Sequence, residues 1–91
     1  MRVLSVAELK KCFNGCRWTC VNAVIAGVES AAELALELKR AIGGEAYVNG
    51  RDIHIITKKC YIVLTVERAE GGIAIKNALG WGDNSQAPWE P

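Results

Sequence analysis

The stretch from Ser30 to Gly44 constrains the fold of this chain most tightly. Ser30-x-x-Glu33 is a capping box, the pattern that satisfies the first free amides of a helix. Strong helix formers fill 31–42, and Gly43-Gly44 stops the run, so a helix is expected over Ala31–Ile42. Leu34, Leu38, Ala41 and Ile42 form one apolar stripe, with Glu33, Glu37, Lys39 and Arg40 largely off it. Such a stripe needs an apolar surface to cover.

The next residues supply that surface. Glu45–Val48 and Asp52–Thr57 read as strands around Asn49-Gly50, the strongest short hairpin signal. A turn at Lys58-Lys59 leads to a third run, Cys60–Glu67. Alternation puts Cys60, Ile62, Leu64 and Val66 on one face of it and Tyr61, Val63 and Thr65 on the other. Both faces are apolar, so the second face or an edge is expected to meet a partner chain.

Before the helix, Ser5-x-x-Glu8 is another capping box, and Leu9 and Phe13 share a face, giving a helix over Val6–Phe13 ended by Asn14-Gly15. Trp18–Val28 is extended, as one long strand or a short hairpin, with Asn22 marking a turn or bulge. After the strands, Gly71-Gly72 is read as opening a short helix, Ile73–Leu79, closed by Gly80. The expected architecture is α+β: an antiparallel sheet with helices packed on one face, in a single domain over 1–80. An irregular tail, 81–91, carries Trp81 and Trp89 as docking points.

A chain of 91 residues has a marginal core, and 51% hydrophobic residues is slightly above the globular norm. Both point to a homo-oligomer, a dimer or tetramer. The net charge is +1, from 11 basic and 10 acidic residues, so no nucleic-acid footprint is expected. No run approaches the ~18 apolar residues that span a bilayer. Met1–Ser5 lacks the apolar run of a signal peptide, which gives a cytoplasmic expectation and no membrane partner.

Cys12, Cys16 and Cys20 are spaced four apart, and Cys60 stands alone. Intracellular thiols stay reduced in most organisms and pair in hyperthermophiles. C-x3-C-x3-C matches no metal motif well, so the cysteines are expected to be buried or disulfide-paired, with no metal and no cofactor. The single histidine, His54, alternates with Ile53 and Ile55 and points away from their face, as a surface or interface residue. One histidine allows no Ser-His-Asp site, and Gly71-Gly72 lacks the Lys-Ser/Thr of a phosphate loop.

Several strings resemble the pterin-4a-carbinolamine dehydratases. Leu4–Leu9 followed by Trp18 is similar to that family's capped opening helix and the tryptophan heading its first strand. Asp52–Val66 lies without a gap on its strand–turn–strand, and Glu67–Ile73 resembles its T-H-D-x-G-G-[LI] turn into a last helix. The family's His-His-Pro triplet is Asn49-Gly50-Arg51 here, and its third histidine falls on Glu67. The resemblance implies the dehydratase fold in the order α-β-(β)-α-β-β-α. It also implies a pocket near Trp18, Asn49, Arg51 and Asp52 for a pterin-like small molecule or another ligand, with Glu67 as the one candidate acid–base residue. A carboxylate serves as such a base only where burial raises its pKa.

The expectation is therefore a dehydratase-like binding or interaction module, dimerising and without the family's histidine catalysis. The alternative of an active 4a-hydroxytetrahydropterin dehydratase with variant residues turns on whether Glu67, Arg51 and Trp18 converge on one pocket. A weaker resemblance, to the small dimerising subunit of the KEOPS tRNA-modification assembly, rests on a helix followed by antiparallel strands and a final helix carrying Asn77, and implies a protein partner.

Overall fold

A computed structural model describes residues 2–14 and 16–81, with Trp81 described in its backbone alone. In chain order the elements are β1 (Val3–Leu4), a 3-10 helix (Val6–Cys12), β2 (Phe13–Asn14), β3 (Arg17–Trp18), β4 (Val24–Ala26), α1 (Ala31–Ile42), β5 (Glu45–Asn49), β6 (Asp52–Ile56), β7 (Tyr61–Ala69) and β8 (Gly72–Trp81). The fold is α+β. Six strands form one sheet in the order β1-β4-β8-β7-β6-β5, and β2 and β3 form a separate two-stranded sheet. The β1–β4 pair is parallel and every other pair is antiparallel, so the sheet is mixed rather than purely antiparallel.

α1 follows from its sequence. Ser30 Oγ accepts from the Glu33 amide at 3.1 Å, and Gly43, at φ 75°, closes the helix by donating to the Lys39 carbonyl. Leu34, Ala35 and Leu38 are buried against Ile53, Ile55, Ile62, Leu64, Ile73 and Ile75 of the sheet. Each buried leucine is worth about 2 kcal/mol by area alone. The 3-10 helix adds Leu9 and Cys12 to the same core, so both helical elements lie on one sheet face. The capping box expected at Ser5 and Glu8 forms: the Glu8 carboxylate accepts from the Ser5 amide at 3.0 Å and the Ser5 hydroxyl at 3.2 Å. These hydrogen bonds, that to the Ser5 amide foremost, hold the Glu8 carboxyl below its ordinary range.

Three expectations change. The helix expected over Ile73–Leu79 is strand β8, paired with β7 along its whole length and with β4 at its start. Glu70-Gly71 is a two-residue hairpin loop with Gly71 at φ 86°. Gly72 is not a helix opener. A Cβ there would lie 2.0 Å from the Ile25 carbonyl oxygen, so glycine lets β4 approach. Asn77 accordingly lies on a strand, which removes the final-helix part of the KEOPS resemblance. The dehydratase order likewise loses its last helix.

Trp18–Val28 is neither one strand nor a hairpin. β3 and β4 belong to different sheets, joined through a turn in which Asn22 takes φ 69°. Trp81 ends β8 instead of starting the tail. The remainder of the expected tail, with Trp89, lies outside the described residues. Among the described residues, no helix is long and apolar enough to cross a membrane.

Candidate functional site

A bulge in β8, at Lys76 opposite Thr65 and Val66 of β7, builds the site. Between Thr65 and Val66 the register against β8 slips by one residue, skipping Lys76. The Thr65 hydroxyl donates to Asp52 Oδ1 at 3.0 Å, and the Val66 amide donates to the Arg51 carbonyl at 2.8 Å. These two bonds hold the Gly50-Arg51 turn, with Gly50 at φ 64°, against the part of β7 that runs on past β6. The space left is a cavity of about 390 Å³ whose wall includes Arg51, Glu67 and Arg68 and whose apolar part comes from Ala31, Val66 and Ile73.

Arg51 and Glu67 thus converge as the sequence suggested. Trp18 does not join them. It is buried at 6% exposure with Phe13 edge-on at 5.1 Å, and its Nε1 has no acceptor among the described residues. Asn49 is exposed at the end of β5, and Asp52 is half-buried and occupied by Thr65; neither lines the cavity. Glu67 is exposed, with its carboxylate 3.7 Å from Lys76 Nζ.

Arg68 is the group that sequence reasoning passed over. Its only signal was alternation. Arg68 pairs with Ile73 across the hairpin, two residues beyond the core residue Val66, and so takes the helix-covered face where the sheet outruns its cover. Among the described residues neither Arg51 nor Arg68 forms an ion pair. Two guanidinium groups beside an apolar floor can hold a carboxylate or phosphate by charge-assisted, bidentate hydrogen bonds.

A second cluster lies on the opposite sheet face. Tyr47 and His54 are register partners whose rings stack at 4.8 Å and 6°. His54 Nδ1 hydrogen-bonds the Tyr61 hydroxyl, which also meets the Tyr47 hydroxyl at 3.2 Å. His54 is half-buried and points away from Ile53 and Ile55, as alternation required. Tyr61 is fully buried, and that burial first, then Tyr47, raises its phenol above 10.0.

The four cysteines form two disulfides, Cys12–Cys20 and Cys16–Cys60. Among the described residues no group of three or more His, Cys, Asp or Glu is placed to hold a metal ion. The chain matches no family model, no curated protein and no solved structure.

Proposed function

We propose that this chain is a binding module whose cavity at the bulged end of the sheet takes a small anionic molecule with an apolar body. One observation carries the reading: Arg51 and Arg68 line one cavity with no carboxylate partner among the described residues. The reading keeps the binding side of the dehydratase resemblance and sets its catalysis aside. No imidazole lines the cavity, and Glu67 lies exposed beside Lys76. A pterin-like ring remains one ligand to try, and self-association is part of the proposal. Val3, Tyr47 and Leu79 are exposed on the sheet face away from α1, at 63%, 41% and 53%.

The test is calorimetric titration of the protein with benzoate, phenyl phosphate, benzamide and a pterin. The two anions are expected to bind and benzamide not to. Arg51→Gln and Arg68→Gln should each weaken the anions roughly tenfold or more, the loss of one charged hydrogen bond. Equal binding by both variants and the parent chain would remove the reading. Acceleration of 4a-hydroxytetrahydropterin dehydration that Glu67→Ala abolishes would replace it with the enzyme.

A further inference from the structure

The two disulfides occupy different surroundings. Cys12 and Cys20, at 0% and 4% exposure, are part of the hydrophobic core with Leu9 and Trp18. Cys16 is half-buried, and Cys60, although buried at 7% exposure, lies like Cys16 outside that packed cluster. Instead both stand in the wall of a cavity of about 710 Å³ at the end of the sheet away from Arg51. Lys58 and Lys59 line the same cavity, and both are exposed. Among the described residues neither lysine has an ion-pair partner, and Glu45, the carboxylate of that wall, is engaged by Lys39 at 3.2 Å. The cavity is thus open, partly apolar through Ile42 and Ile56, and positive in local charge.

From this juxtaposition we propose that Cys16–Cys60 is a thiol–disulfide exchange site for small anionic thiols, while Cys12–Cys20 is a sealed structural link. A thiolate attacks the Sγ of Cys16, the more exposed residue of the pair. A new S–S bond forms to Cys16, the Cys16–Cys60 bond breaks, and its electron pair leaves on Cys60 Sγ. The lysines favour both sides of that step: their charge attracts a carboxylate-bearing thiol and stabilises the negative charge that develops on the departing Cys60 sulfur. A second thiolate attacks the small molecule's sulfur in the mixed disulfide and releases the Cys16 thiolate. Two small thiols are then joined as a disulfide, and the protein has gained two electrons. Cys12–Cys20 keeps the β2–β3 hairpin tied within the core during that exchange.

The experiment exposes the oxidised full-length protein to reduced glutathione or to 2-mercaptoethanol, quenches with an alkylating agent at intervals, and maps the cysteines by mass spectrometry. The expected result is a glutathione adduct on Cys16, alkylated Cys60, and an intact Cys12–Cys20 bond. Lys58→Gln/Lys59→Gln, a pair of surface changes, should slow glutathione exchange about tenfold. It should slow the neutral 2-mercaptoethanol far less. Loss of both disulfides together, reduction of Cys12–Cys20 first, or a glutathione rate indifferent to the two lysines would overturn the proposal.

Discussion

At one end of the sheet the turn between β6 and β7 is tied covalently: Cys60 reaches across to Cys16 beside the β2–β3 hairpin, 44 residues away in sequence. At the other end the Gly50-Arg51 and Glu70-Gly71 turns are held without a crosslink: by a bulge, two positive-φ glycines, the Val66–Arg51 backbone hydrogen bond and the Thr65–Asp52 side-chain hydrogen bond. A chain of this length buries too little to fix both ends by packing. The crosslink therefore stands where the core stops, and the two arginines stand where no crosslink restrains them. Disulfides of this kind belong to oxidising compartments or to the intracellular proteins of hyperthermophiles.

The comparison breaks most visibly if the covalent end is opened. In the loop-entropy account, closing a 44-residue separation is worth about 4 kcal/mol and an eight-residue one about 2.5 kcal/mol. Replacing Cys16 and Cys60 by serine should therefore lower the urea-unfolding free energy more than the same change at Cys12 and Cys20. If the order is reversed, core packing around Cys12 and Cys20 outweighs chain entropy, and the covalent end is less decisive than its loop length implies.

The geometric end breaks at Gly72. A Cβ there meets the backbone of Ile25, which belongs to a strand and cannot turn aside, so Gly72→Ala should cost about 2–3 kcal/mol. Gly50→Ala has open space and only its positive φ to resist it, which costs about 1 kcal/mol. Denaturant midpoints that rank the two variants the other way would mean that the Gly50-Arg51 turn, rather than the approach of β4 to β8, governs this end.

How far these features could be seen in advance depends on the range of the signal. α1 was legible because its caps and stripe lie within one segment. The β5–β6 hairpin was legible from Asn49-Gly50, although the loop proper is Gly50-Arg51, one residue later. β8 was not legible. Ile73, Ile75, Ala78 and Leu79 suit either period, and the deciding contact, Gly72 against Ile25, joins residues 47 positions apart. The disulfide partners were hidden for the same reason, since C-x3-C-x3-C does not say which cysteine reaches Cys60. In the candidate site, Arg51 and Glu67 came from local strings, whereas Arg68 required knowing that β7 runs on past β6 and pairs there with β8. The Tyr47–His54 stack was available in principle, because counting outward from Gly50-Arg51 places them opposite each other.

The smallest expected effect sits on the sheet face between the two ends. Tyr61→Phe removes a hydroxyl that hydrogen-bonds both His54 Nδ1 and the Tyr47 hydroxyl, at a cost of about 1 kcal/mol near neutral pH. Its pH dependence tells burial from a merely crowded surface. The folded phenol sits above its ordinary 10.0, so the folded chain keeps a proton there that the unfolded chain releases. The associated stability is fully present below about pH 10 and is lost as pH rises through the folded value. The gap between the parent chain and Tyr61→Phe in urea unfolding should therefore be constant up to about pH 10 and narrow above it. A gap that holds its width into that alkaline range would mean that the Tyr61 phenol is open to water. The aromatic face would then be as loosely held as the turns of the geometric end, and the covalent end would be the one rigid part of the sheet.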